Sequence, residues 1–295
     1  MNDNSGVGMK EFSRNATSDN FVDRDAHNDL YEKKGDSDFV GKPEDYIRFF
    51  ERAELSPFYI SGRTKGYVRG LATRSMLKDL GDRAPETVTV VDAGCGTGRL
   101  SVYLACKGFN VVAIDISEVA VERTTAFAER LGVADRVRGA ATSLAEIPVP
   151  DASVDSIIGH ASLHHFIKYS GIPEEFDRVL QPGGAGYFAD SFGENKLYHL
   201  FHNKKLMSEL GDVSLTRQMV RDYFAGFSTD ITPTDWFVMF DKLLTSYLPE
   251  RLHGLVRSTS RVAFALDRMI PADSSIALKL SGAVFTKVTK PEHSG

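Results

Sequence analysis

The sequence predicts an α/β fold built on a doubly wound, mostly parallel sheet, and three observations carry that prediction. From Thr87 onward, short β-rich runs alternate with helix-length amphipathic stretches, the pattern of βαβ crossovers. A turn with glycines at 94, 96 and 98 joins the first such run to the first such stretch. The chain is 295 residues long and 42% hydrophobic, enough to bury a sizeable core.

Taken in order, residues 1–20 are rich in Asn, Ser, Gly and Asp and read as a disordered tail without chemistry. Residues 21–86 read as an N-terminal helical lid. Tyr46, Ile47, Phe49 and Phe50 fall together there, and Tyr67, Val68, Leu71, Met76, Leu77 and Leu80 recur at helical spacing. Gly81 to Glu86, with Pro85, punctuates the chain before the period changes.

The core is then expected over residues 87–295. Its strands are TVTVVDAG, FNVVAIDIS, RVRGAAT, VDSIIGHAS and GAGYFADSF, and its helices are Leu100–Lys107, Val119–Leu131 and Pro173–Leu180. After Phe192 the alternation stops. Lys196–Phe224 looks helical, Gly226–Thr232 fits a strand, and Trp236–Met269 is largely helical, which places a helical cap at about 235–270 before a terminal strand in Ile276–Val288.

Charge narrows the function classes. The 40 Asp+Glu exceed the 35 Lys+Arg by five, and the first 45 residues hold 11 acids and 6 bases, so the rest of the chain is formally neutral. A neutral body lacks the basic footprint of a phosphate-binding nucleic-acid partner. Two cysteines, Cys95 and Cys106, suggest neither a disulfide framework nor a zinc site. No apolar run approaches the length of a membrane span and no signal-type segment opens the chain. A soluble cytoplasmic protein is expected, with no stable membrane insertion; the sequence is compatible with a homo-oligomer.

The chemistry is expected at VVDAGCGTGRLS. Gly94, Gly96 and Gly98 leave a strand and enter a helix, which brings backbone close to a ligand at the carboxyl end of a parallel strand. The spacing is G-x-G-x-G and not the dinucleotide G-x-G-x-x-G, and Asp92 precedes it directly. A carboxylate there would repel a pyrophosphate and suits a cationic ligand such as S-adenosylmethionine. No Lys-Ser or Lys-Thr pair closes a triphosphate loop. Asp115, ending the next β-rich run, can accept hydrogen bonds from two ribose hydroxyls, a feature that nicotinamide enzymes share.

Residues 88 to about 192 resemble the class I S-adenosylmethionine-dependent methyltransferases, in the branch acting on quinones, sterols and natural products. The resemblance rests on VVDAGCGTG, the acid of AIDIS, IPVPDASVDSIIGHASLHHF and RVLQPGGAGYFAD. It implies a Rossmann-like seven-stranded sheet whose end carries a reversed hairpin, with S-adenosylmethionine as cofactor and S-adenosylhomocysteine as product. It also implies that Asp92, Gly94 and Gly96 line the methionine end, that Asp115 and Ile116 hold ribose and adenine, and that Gly159 and His160 face the cofactor; Ala93 and Gly98 of the same loop are further cofactor-binding candidates. Where the family usually has Gly-Asp after the third strand, this chain has Gly139 and Ala140. Ala141, Thr142, Ser143 and Leu144 are then the candidates for the adenine wall.

Methyl transfer also requires a proton to leave a hydroxyl, amine or activated-carbon nucleophile. His160, His164 and His165 cluster in GHASLHHF, and Asp190 ends the neighbouring run, so a His–Asp pair can form at one rim. His164, His165 and Asp190 are the catalytic candidates. Adjacent histidines are expected to point apart, and His199-x-x-His202 lacks a further ligand, so no metal is expected. Aromatic residues of the lid (Phe39, Tyr46, Phe49, Phe50, Phe58, Tyr59) and of the later helices (Tyr198, Phe201, Tyr223, Phe224, Phe227, Trp236, Phe237, Phe240) suit a bulky apolar acceptor, although helix packing explains any single one equally well. Tyr31, Glu32 and Asp38 are candidates for closing the pocket. The expected function is methyl transfer to a small organic acceptor; the competing readings are a non-methylating reaction such as cyclisation on the same fold, or a noncatalytic cofactor-binding partner.

Overall fold

The computed structural model describes residues 20–33, 39–56, 66–193, 213–234, 269 and 281–292. Tyr198, His199, Phe201, His202, Trp236, Phe237, Phe240, Asp38, Phe58, Tyr59 and nearly all of the expected cap lie outside these residues, as does nearly all of the expected tail.

Three helices come first: α1 (Asn20–Lys33), α2 (Pro43–Glu54) and α3 (Gly66–Leu80). Strand β1 (Thr89–Ala93), helix α4 (Arg99–Cys106), β2 (Asn110–Asp115), α5 (Glu118–Arg130) and β3 (Val137–Ala141) follow. Next are β4 (Val154–His160), the short α6 (Leu163–Phe166), α7 (Ile172–Val179) and β5 (Leu180–Ser191). Helix α8 (Arg217–Tyr223), β6 (Ser228–Thr234) and β7 (Ala283–Thr289) complete the described elements.

The seven strands form one sheet in the order β3-β2-β1-β4-β5-β7-β6, parallel except for β7, which runs antiparallel to both neighbours. Seven strands with a reversed last strand is the predicted architecture. The strand order reverses between β1 and β4, so the crevice at their carboxyl ends is the place where ligands bind in such sheets. Central strands are apolar on both faces, since helices cover both. Val90, Val111 and Ile158 enter one cluster, while their neighbours Val91, Val112 and Ile157 enter the other.

The N-terminal layer divides. α2 and α3 belong to the core: Tyr46, Phe50, Val68, Ala72 and Met76 are buried with Tyr103 and Leu104 of α4. Phe50 stacks on Tyr103 at 4.5 Å and the Tyr46 hydroxyl donates to the Arg99 carbonyl at 2.9 Å. This corrects the expectation that lid aromatics line an acceptor chamber, because Tyr46 and Phe50 point into the sheet layer and Phe49 faces outward. Phe224 is likewise packing, on Phe188 and Phe176. Of the three N-terminal helices, α1 is the one whose described side chains reach the crevice, at Gly96 and Ser117.

Candidate active site

The glycine loop is built by backbone geometry that side chains resist. Gly94, Gly96 and Gly98 have φ of 82°, 55° and 75°, in the left-handed region that glycine adopts without penalty. Gly94 and Cys95 both donate their N–H to the Ile114 carbonyl at 2.9 Å, which ties the loop to β2. Gly94 and Gly96 face the crevice, whereas Gly98 is buried: a Cβ there would lie 2.7 Å from the Thr124 Cα. Its role is to let α4 and α5 approach, which corrects its assignment to the ligand side. Cys95 is buried beside Thr124 as well, and burial pushes its thiol well above the usual range.

Asp92 also differs from its expected place. It is buried behind the loop, where one oxygen accepts the Ser101 hydroxyl at 2.6 Å and the Ser101 N–H supports the same carboxylate. Its carboxylate therefore does not line the crevice. Burial raises its carboxyl to about 7, Ser101 opposes the rise, and Asp115 adds to it. Ala93 is fully buried too, so only its backbone borders the crevice.

Asp115 ends β2 with both oxygens engaged. One accepts the Gly96 N–H at 2.9 Å and the other the Ser117 N–H at 3.0 Å. Burial raises this carboxyl, and the two backbone donors, His27 and His165 pull it back. A carboxylate accepts about four hydrogen bonds, so the pair of ribose hydroxyls can still be received. Among the described residues neither Asp92 nor Asp115 has a Lys or Arg in ion-pair range. Two buried acids without a Lys or Arg partner among the described residues, beside a glycine loop, fit a cationic adenosyl ligand. Ile116 is half-buried next to Asp115, and the Thr142 N–H bonds the Asp115 carbonyl at 3.0 Å, so Thr142 and Ser143 border the same end of β2. Leu144 turns into the core.

On the other side of the crevice, Gly159 owes its identity to packing. A Cβ there would lie 2.3 Å from the Ser162 hydroxyl oxygen and 3.2 Å from the Ala93 carbonyl. His160 does not turn to the crevice either; its Nε2 lies 3.1 Å from the Thr73 hydroxyl of α3. Burial and the neighbouring Arg69 cation hold that imidazole well below its usual range, so it is neutral.

The histidine pair is assembled at the ends of β4 and β5. His164 Nδ1 lies 2.6 Å from an Asp190 oxygen, and Asp190 is fully buried. A carboxylate only accepts, so the proton is on Nδ1 and Nε2 is the basic nitrogen. The second Asp190 oxygen has no hydrogen-bond partner among the described residues. His165 does not point away from His164, contrary to expectation: the short α6 brings the two rings to 4.1 Å at 36°.

Sequence patterning missed three features. His27 of α1 meets His165 edge-on at 5.2 Å, and Asn28 accepts the Ser117 hydroxyl at 2.5 Å. Tyr31, named as a closing residue, does reach the loop, with its hydroxyl 3.1 Å from where a Gly96 Cβ would stand; Glu32 is exposed. Glu54 bridges Arg69 and Arg99 at 2.7 Å each. Polar residues on an inner helix face break the apolar periodicity that reveals packing, so only the i, i+1, i+4 spacing of His27, Asn28 and Tyr31 could have signalled it.

Comparison with known proteins agrees with this geometry. A family model described as a methyltransferase domain matches residues 91–188, from the middle of β1 to the middle of β5. Residues 91–188 thus carry a methyltransferase domain. Among relatives, a sarcosine/dimethylglycine N-methyltransferase from Aphanothece halophytica is 29% identical over 207 residues, 68% of each chain. A 27-O-demethylrifamycin SV methyltransferase from Amycolatopsis mediterranei is 38% identical over 96 residues, 32% of this chain and 35% of that one. A tRNA 5-carboxymethoxyuridine methyltransferase from Escherichia coli is 28% identical over 138 residues, 46% of this chain and 53% of that one. The methyltransferase thus matches the last two over only about a third and a half of their lengths. A solved geranyl diphosphate C-methyltransferase from Streptomyces coelicolor shares the fold, with TM-score 0.55, 16% identity and coverage of 94% of this chain and 98% of that one. Among the described residues no helix is long and apolar enough to cross a membrane, and no group of three His, Cys, Asp or Glu is placed to hold a metal.

Proposed function

We propose that this methyltransferase acts on a small organic acceptor whose nucleophile, an oxygen, nitrogen or activated carbon, loses its proton to His164. The observation that carries the reading is the 2.6 Å contact between His164 and buried Asp190, across the sheet's switch point from the glycine loop. When bound, S-adenosylmethionine supplies an electrophilic methyl group. The protein's part is to hold and orient: Gly94 and Gly96 shape the loop without side chains of their own, Asp115 receives the ribose hydroxyls, and Asp92 contributes a negative field beneath. His164 Nε2 takes the acceptor's proton and Asp190 stabilises the imidazolium that results. His165 borders the same space; Thr142 and Ser143 are proposed for the adenine wall.

The acceptor class is argued from charge and relatives. A neutral body favours a small molecule over a polyanion, in keeping with the sarcosine- and rifamycin-related enzymes. An apolar, natural-product-like acceptor rests on the rifamycin-related relative and not on Tyr46, Phe50 or Phe224, which are core. A reducing, cytoplasmic setting suits Cys95 and Cys106, both free thiols.

Incubation with methyl-labelled cofactor and a panel of phenolic, amine and isoprenoid acceptors, with bulk tRNA as a further arm, tests the reading. A labelled small molecule and an equal amount of S-adenosylhomocysteine are expected. Label on tRNA alone, or turnover without S-adenosylhomocysteine, would overturn it. Asp115→Ala is expected to weaken cofactor binding by about 1–3 kcal/mol in calorimetric titration; unchanged affinity would remove Asp115 from the ribose site.

A further inference from the structure

α1 reaches three separate parts of the site from one face. Tyr31 lies over Gly96 of the glycine loop, Asn28 holds Ser117 beside Asp115, and His27 contacts His165 on the acid–base side. His27 is 7% exposed although its helix is otherwise polar and partly solvated. Its ring meets that of His165 at 5.2 Å and 82°, an edge-to-face arrangement, and His165 in turn lies against His164 at 4.1 Å. The end of this row is the His164–Asp190 bond.

We infer that His27 is a positioning residue: by fixing the plane of His165 it holds the His164 imidazole with Nδ1 on Asp190, so the acid–base pair is complete only with α1 in place. The physical need is clear from the torsion involved. Rotation of an imidazole about χ2 is broad and nearly two-fold, and a flip would exchange Nδ1 for carbon opposite Asp190. A neighbouring ring at stacking distance blocks that flip, but only if it is itself held, and an edge-on aromatic contact has the directionality to do so. Among the described residues, the charged and titratable groups around the row include Tyr31 and Asp115 beside His27, Asp115 beside His165, and Asp190 with Arg69 beyond it next to His164. None of these is required to change protonation for the contact to work.

The catalytic readout rests on the proposed transfer, whereas the tautomer readout does not. In His27→Ala, kcat is expected to fall about tenfold with KM for the cofactor changed less than twofold, and His27→Phe should recover at least half of the lost rate. Histidine ¹⁵N spectra of the full chain at alkaline pH should show a single Nδ1–H tautomer for His164 in the wild type and in His27→Phe, and a mixture in His27→Ala. His27→Leu, which keeps most of the buried volume, carries the same two readouts if the alanine variant does not fold. Wild-type kcat in the alanine or leucine variant overturns the inference, as does a fall in kcat with the His164 tautomer still single. If the wild type transfers no methyl group, the functional reading fails and the tautomer result alone decides the inference.

Discussion

Asp190→Asn is expected to lower kcat about a hundredfold while leaving S-adenosylmethionine affinity within twofold. The substitution is isosteric, so an amide oxygen can still accept from His164 Nδ1 and the ring can keep its place. What is lost is the negative charge that stabilises the imidazolium as the acceptor's proton arrives. Loss is large because Asp190 is fully buried, where the interaction is not screened by water. The contact also has a structural component, since the His164 N–H reaches the same oxygen at 3.4 Å, but that distance is too long for a strong bond. A purely structural Asp190 would show itself as a lowered melting temperature with kcat preserved in the folded fraction.

Cofactor affinity is expected to fall about tenfold between pH 7.5 and pH 6, and Asp92→Asn should flatten that dependence. The sign follows from burial, which raises the Asp92 carboxyl to about 7 in the free protein. Above that pH the buried carboxylate is uncompensated and a cationic ligand relieves it; below it the proton already does so, and the ligand must displace the proton. The same shift has the opposite effect on the free fold. A carboxyl raised in the folded state contributes stability that is fully present below its unfolded value of 3.8 and is lost as pH rises through about 7. Free protein should therefore gain stability on mild acidification in the very range where it loses cofactor. Calorimetric titration of S-adenosylmethionine across pH 5.5–8.5 checks this, and a pH-independent affinity in the wild type would show that Asp92 does not sense the ligand.

How much of this was legible in the sequence depends on which physical signal was involved. The sheet was legible strand by strand, because β1, β2 and β4 are buried on both faces and carry the apolar pairs Val90–Val91, Val111–Val112 and Ile157–Ile158, and because three glycines mark the turn after β1. The His164–Asp190 pair was legible from position at two adjacent strand ends, although nothing in composition said the rings of His164 and His165 would lie 4.1 Å apart. Asp92, Gly98, Gly159 and His160 were expected to face the ligand by motif position, yet the Asp92 carboxylate turns to Ser101, the Cβ directions of Gly98 and Gly159 to Thr124 and Ser162, and His160 to Thr73. One-dimensional spacing locates such residues at the rim but cannot say which way a side chain turns. α1 was the least legible part. Its inner face is polar, so its placement comes from single contacts to Gly96, Ser117 and His165 and not from a hydrophobic stripe.

The central claim is that His164 and Asp190 form one acid–base unit beside the cofactor loop, and a double-mutant cycle in kcat tests it most directly. Once a labelled product has identified the acceptor, His164→Ala, Asp190→Asn and the double variant are compared at saturating cofactor. If the two residues act as a unit, the double variant is no slower than His164→Ala within about twofold, because Asp190 has nothing left to stabilise. Independent, multiplying losses would contradict the account.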